Sequence, residues 1–361
     1  MSHPTESRTP HRRPTEHPTL GIFYEHPDWF RPLFRELERR DVPHRKLQAA
    51  DHHFDPGETD ALFPVVFNRM SPSAYLRGGT DQIFYTSQYL THLERQGVRV
   101  INGSRAWRTE ISKAAQLSLL QALGLEYPAA RVIHRAEAAP AAAEGLRFPV
   151  VVKPNVGGSG AGVIRFDSPD ALRRAARAGE LDFGIDGTAL VQEFIPAQDG
   201  RIVRVEVLNG RFLYAIRIYT PGDQFNLCPA DVCRSVDGAE LERAACPADA
   251  PANELTVEGF EPPPPVVQAV ERITAAAGIE IGGVEYMIDD RDGRLYYYDV
   301  NALSNFVADG PRVVGFDPFV HLADWLEEEL ARATAPRRSP PASILSAPAA
   351  AGAAATHEVT S

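Results

Sequence analysis

In the stretch Val150 to Phe166, VVVKPNVGGSGAGVIRF, a lysine closes an apolar strand just ahead of a loop with four glycines. A buried ammonium is costly unless an anion meets it, and glycines let backbone N–H groups bend close around a ligand. Lys153 followed by Gly157, Gly158, Ser159, Gly160 and Gly162 therefore points to phosphate. The loop is not a P-loop, because no Lys-Ser or Lys-Thr follows it, and its glycines miss the G-x-G-x-x-G dinucleotide register. Taken alone, it is equally a flexible surface turn after an ordinary strand.

Two hairpins supply further chemistry. In GGVEYMIDDRDGRLYYYDVN the even positions Val284, Tyr286, Ile288, Tyr296, Tyr298 and Val300 are apolar and predict one core face. An odd-length turn, Arg291-Asp292-Gly293, then sets Glu285 opposite Asp299, with Asn301 on the same face. Two carboxylates and an amide oxygen are hard ligands of the kind Mg²⁺ takes while it keeps waters and phosphate oxygens; the plain alternative is a strand end and a turn. In the other hairpin, Asn209-Gly210 predicts a two-residue turn pairing Leu208 with Arg211 and Arg204 with Ala215. Arg204 and its diagonal neighbour Arg217 then share a face about 7–8 Å apart, with Val203, Val205, Val207, Tyr214, Ile216 and Ile218 filling the other. That makes a two-arginine anion clamp, or else a solvated face with scattered charge.

These groups need a scaffold. With 361 residues, 44% hydrophobic and 24% charged, the chain is long enough for two or three globular domains. Between Leu20 and Ser104 the pattern alternates: LGIFY, FPVVFNRM and VRVING read as strands, WFRPLFRELERR and QIFYTSQYLTHLERQG as helices. A helix over 109–123, strands ARVIH and 148–153, the glycine loop and a helix near 169–178 follow. Strands TALVQEFI, RIVRVEVL, RFLYAIRIY, GGVEYMID and LYYYDVN precede a final helix, DPFVHLADWLEEELARA. The expected class is α/β plus α+β, with units at 19–108, 109–187 and 188–332 between disordered ends, 1–18 and the Ala/Pro-rich 333–361.

The net charge of −11 speaks against nucleic acid or an acidic membrane as partner, so a polyanion must be met by local Lys and Arg. Three cysteines, an odd number in a long chain, indicate a reducing compartment, and Cys228 and Cys233 read as ordinary loop thiols. No run approaches a membrane span and the first residues lack a signal-peptide core, so a cytoplasmic location is expected. The assembly state is left open, a homodimer being the commonest form.

In this order, these residues resemble the ATP-grasp superfamily of carboxylate–amine ligases, in the branch with glutathione synthetase and the ribosomal-protein glutamate ligase, from about Leu20 to Leu330. The resemblance implies a Rossmann-like pre-ATP-grasp domain followed by two subdomains that grip ATP. It implies that Lys113, in ISKAAQLSLLQALGLEYP, and Lys153 bind phosphates and that the glycine loop folds over them. It makes VQEFI, with Gln192, Glu193, Phe194 and Ile195, the adenine hinge, the acidic side chain holding polar edges of the nucleoside. Arg204 and Arg217 correspond to arginines on the transferred phosphate and acyl intermediate, and Glu285, Asp299 and Asn301 to ligands of two Mg²⁺, for which Mn²⁺ is a substitute. Arg69 and Asn226 fall where substrate is met.

The chain departs from the family in three places. The acid lengths at the metal positions are exchanged, and Ile202 stands where the glutamate ligase has a ribose-binding aspartate. The basic and glycine residues expected near Asn226 are missing, so glutamate is not carried over as substrate. The implied activity is ATP-dependent, ADP-forming ligation of a small carboxylate and an amine through an acyl phosphate. The alternatives are a kinase with the same nucleotide grip and a catalytically silent nucleotide-binding module.

Overall fold

The computed structural model describes residues 18–26, 28–158, 160–219, 232–235 and 253–335. The expectations for Ser159, Asn226, Cys228 and both chain ends lie outside them. Near the start, β1 (Leu20–Tyr24), β2 (His44–Gln48), β3 (Val65–Arg69) and β4 (Arg99–Ile101) form a parallel sheet in the order β2-β1-β3-β4. The apolar strands β1 and β3 are buried along their whole length and take the centre. Strand β2, HRKLQ, is an edge strand with Lys46 and Gln48 exposed, and its charges are why no strand was expected there. Helix Arg31–Arg39 buries Leu33, Phe34 and Leu37, a stripe with helical spacing, and packs on helix Pro318–Thr334.

The next sheet is antiparallel, with β5 (Ala130–Ile133), β6 (Val150–Pro154), β7 (Ile164–Phe166) and β8 (Ala189–Glu193) in the order β5-β8-β6-β7. Instead of one helix over 109–123 there are two, Ser104–Glu110 and Lys113–Ala122. The Ser112 hydroxyl accepts from the Ala115 N–H and caps the second helix, which makes Lys113 its first residue.

The largest sheet holds β9 (Arg201–Leu208), β10 (Arg211–Tyr219), β11 (Val232–Ser235), β12 (Asn253–Phe260), β13 (Ile281–Ile288) and β14 (Leu295–Asn301), in the order β11-β12-β10-β9-β13-β14. One face is covered by helix Pro264–Ala277, which the sequence reading did not assign. Its signals were present: Pro264 at the first position, Gly278 with φ 73° after the last, and Val266, Ala269, Val270, Ile273 and Ala277 on one stripe.

Both hairpins of this sheet contain a bulge, and the two differ in effect. In β9–β10 the turn pairs Leu208 with Arg211 as expected, but an extra residue at Leu213 shifts everything beyond it, so Arg204 lies opposite Ile216 and Val203 opposite Arg217. In β13–β14 the pairs next to the turn are Ile288 with Leu295 and Tyr286 with Tyr297, and Tyr298 is the extra residue that restores Glu285 opposite Asp299. The odd residue sits in the strand, not in the turn. As a result Tyr298 leaves the expected core face, and Tyr297 takes its place against Tyr286.

The first and largest sheets are tied together at Asn102, which has φ 52° and is 1% exposed. Its side chain donates to the Ile281 and Ala302 carbonyls and accepts from the Glu280 and Ile281 N–H groups. Among the described residues no helix is long and apolar enough to cross a membrane.

Candidate active site

A row of directly paired residues crosses the largest sheet: Ile216, Arg204, Glu285, Asp299. The adjacent row on the same face is Tyr214, Glu206, Gly283, Asn301. Buried Arg204 donates from Nε to Glu206 at 2.6 Å and from Nη1 to Glu285 Oε1 at 2.9 Å. Gly283 makes room for it, since a Cβ there would sit 2.7 Å from the guanidinium nitrogens. The bulged Tyr298 hydroxyl donates to Glu285 Oε2 at 2.6 Å. Asp299 accepts from Lys113 Nζ at 2.5 Å and from the Asn301 amide at 3.3 Å.

Charge decides the protonation of this row. Burial raises the Asp299 carboxyl, but the Lys113 ammonium beside it wins and holds it below its usual value. Glu285 goes the other way, because burial outweighs Arg204. Both carboxylates and the Asn301 amide are hard oxygen donors on one face. Among the described residues no three His, Cys, Asp or Glu side chains form a metal cluster, so this is no all-protein cage. Two carboxylates and an amide nevertheless fit Mg²⁺, which retains waters and completes its shell with phosphate oxygens.

Across the cleft, Lys153 lies on β6 opposite Leu190 of β8. It makes no hydrogen bond or ion pair among the described residues, and burial, reinforced by the Lys113 charge, pushes its ammonium down to about 7. Lys113, Lys153, Gly157, Gly158, Gly160, Arg204, Glu285, Asp299 and Asn301 line one cavity of about 560 Å³. The loop approaches the first unit closely: a Cβ on Gly158 would lie 3.0 Å from Ser73 Cβ. Gly160 and Gly162 adopt φ 68° and 72°, a region open to glycine.

Gln192, Glu193, Phe194 and Ile195 line the same cavity. Gln192 is buried with its Oε1 unpartnered, and the Ile195 N–H has no acceptor among the described residues. The Glu193 side chain does not fit the expected role. Its carboxylate takes the Arg147 backbone N–H at 2.8 Å and the Arg147 Nε at 3.1 Å, and the Glu193 and Phe194 N–H groups donate to the Ala129 and Pro149 carbonyls, which leaves the Ile195 N–H for a ligand.

Two further expectations are corrected. Arg217 does not clamp with Arg204, because the Leu213 bulge turns it to the opposite face, where it pairs with Glu258 at 3.0 Å and lies 3.9 Å over the Phe260 ring. Arg69 is 1% exposed and outside the cavity lining; it sits 4.7 Å from the Phe30 ring and 5.1 Å from the Phe67 ring, donating to Ser304 and Asn305. Burial lowers its guanidinium to about 9.

The sequence reading missed Glu110, Tyr298 and Trp29, all of which line the cavity. The Glu110 carboxylate accepts from the Ala302 N–H, just past Asn301, and burial raises it to about 7. No spacing rule flags an acid at a helix end. Tyr298 was placed on the core face by a regular alternation, and nothing in the sequence marks the bulge that turns it into the cavity.

Residues 111–228 match the RimK-like ATP-grasp domain. Over 219 residues the chain is 30% identical to a D-alanine–D-alanine ligase of Geobacter sulfurreducens, the match covering 57% of this chain and 59% of that one. The shared part is therefore under two thirds of that relative. A probable alpha-L-glutamate ligase of Trichodesmium erythraeum is 27% identical over 220 residues, 57% of this chain and 73% of its own. The solved structure of ATP-grasp ligase PsnB complexed with minimal precursor superposes with a TM-score of 0.60 at 20% identity, over 87% of this chain and 100% of that one, which is a likeness of fold. The lysine-glycine loop, the hinge strand and Arg204 that face this cleft lie within the residues that match the RimK-like ATP-grasp domain, and Glu285, Asp299 and Asn301 complete the cleft from beyond them.

Proposed function

We propose that the chain is an ATP-dependent, ADP-forming carboxylate–amine ligase. The observation that carries this reading is the pairing across one cleft of an unpartnered cation at a glycine loop, Lys153, with the row Arg204, Glu285, Asp299 and Asn301. In this reading residues 19–108 are the Rossmann-like pre-ATP-grasp domain, and 109–187 and 188–332 are the two gripping subdomains. The apolar β8 end and the Ile195 N–H receive adenine, and Lys153 and the loop N–H groups hold the phosphates. Glu285, Asp299 and Asn301 would hold two Mg²⁺, which supply charge neutralisation at the phosphate oxygens.

A substrate carboxylate oxygen attacks the γ-phosphorus, ADP departs, and an acyl phosphate forms. The amine nitrogen then attacks the acyl carbon, inorganic phosphate leaves with that oxygen, and the nitrogen loses a proton. Arg204, fixed by two carboxylates, is the side chain oriented to stabilise the developing oxyanion, acting alone because Arg217 faces away. The ordinary composition and three cysteines are consistent with work in the cytoplasm on small molecules. A substrate labelled with heavy oxygen in its carboxylate tests the reading. Label is expected in the released phosphate, and only when amine is present; a stable phosphorylated product formed without amine would mean a kinase instead.

A further inference from the structure

Part of the cavity wall is left over after the nucleotide and metal groups are assigned. It comes from the first unit and from the segment after Asn301: Trp29, Ser71, Pro72, Ser73, Leu303 and Asn305, all uncharged. Trp29 is braced. The His26 ring stacks on it at 4.2 Å with 3° between planes, His26 Nδ1 accepts from the Trp29 backbone N–H, and the Arg77 guanidinium lies 4.9 Å from the indole. Trp29 and Leu303 both rest on the apolar core that joins the first sheet to the largest one. The two serine hydroxyls are spent on each other at 2.7 Å.

Arg69, behind Asn305, has no ion pair among the described residues but is 1% exposed and outside the cavity lining, and the other cations nearby are matched. Arg77 pairs with Glu25, Arg165 with Asp167, Lys113 with Asp299, and Arg204 with Glu206 and Glu285. Lys153 is the phosphate lysine of the ligase reading, and the role of this wall rests on that reading. A second carboxylate on the substrate would meet no cation among the side chains that line this wall, at the cost of desolvation. A flat or aliphatic group would instead cover a preorganised indole.

We infer that Trp29 and Leu303 form the specificity wall for a substrate whose side chain is aromatic or aliphatic and bears no charge beyond its reacting group.

Binding can be read without turnover, because Trp107 and Trp325 are 1% and 4% exposed while Trp29 lines the cavity. The full chain, with Mg²⁺ and a non-hydrolysable ATP analogue, is titrated with phenylalanine, leucine, phenylacetate, glutamate, aspartate and lysine. Tryptophan emission is expected to change saturably with one or more apolar members, each binding at least tenfold tighter than any charged one. By calorimetry, Trp29→Ala should weaken that binding tenfold or more and Trp29→Phe less than threefold, both keeping the analogue's affinity. Binding confined to charged members, binding indifferent to Trp29→Ala, or no response to any apolar member up to millimolar concentration overturns the wall. Parallel ADP-release assays keep the two readings apart: apolar binding without amine-dependent ADP release would retain the wall and remove the ligase.

Discussion

The hairpins β9–β10 and β13–β14 lie in the same sheet, were read by the same alternation rule, and each contains one extra residue. In β13–β14 the extra residue cancels a turn one residue longer than expected, so Glu285 still meets Asp299. In β9–β10 the turn is as expected and nothing cancels the bulge, so Arg217 moves to the far face. Side-chain facing has a period of two, so one uncompensated residue reverses every position beyond it. A constellation read across a hairpin is therefore only as secure as the strand between the turn and its residues.

The sharpest way to break this contrast is to treat the two arginines alike. Arg204→Lys keeps charge but loses the fork that holds Glu206 and Glu285, and should lower the rate of amine-dependent ADP release by about 100-fold or more. Arg217→Lys should change it by less than about threefold. Equal losses would return Arg217 to the site.

Gly283→Ala tests how tightly Arg204 is seated. Its methyl would meet the guanidinium at 2.7 Å, so a cost of about 1–3 kcal/mol is expected in calorimetric unfolding, with roughly a tenfold lower rate. Unchanged rate and stability would mean that the strand gives way freely.

Tyr298→Phe should act more mildly. It removes one hydrogen bond that orients Glu285 and should appear as a several-fold rise in the Mg²⁺ concentration for half-maximal rate. A loss of folding with an unaltered Mg²⁺ requirement would make the bulge a packing feature only.

The smallest effect concerns pH and stability. With its ammonium lowered to about 7 in the fold, Lys153 is penalised while protonated in both states, and the penalty fades as pH rises from 7 toward the ordinary lysine range. Lys153→Met should thus raise the melting temperature by a few degrees at pH 6.5, the gain shrinking by pH 9.5. A gain that grows with pH would refute the assignment.

Much of the site was legible because its parts are local. The lysine and glycines are contiguous in sequence, and Glu285, Asp299 and Asn301 follow from one hairpin's alternation. The bulges were not legible, since neither Leu213 nor Tyr298 is a glycine or proline, and their cost is offset by tertiary packing. Strand β2 was hidden by its charges, as edge strands often are. Helix Pro264–Ala277 could have been found from its caps, whereas Glu110 and Trp29 reach the cavity only through the arrangement of distant units.

Asn102 has a mechanical consequence. One amide engages four backbone groups spread over Glu280, Ile281 and Ala302, so it acts as a bolt rather than a hinge pin. Arg99, paired with Glu280 and Glu329, adds a second fastening alongside it. The first and largest sheets should then move as one stator, and the aperture through which ligands exchange should open by rotation of the β5–β8 sheet that carries Lys153 and the loop. Amide exchange would show this as slow, shared protection across Asn102, Ile281 and Ala302, with faster opening confined to the rotor.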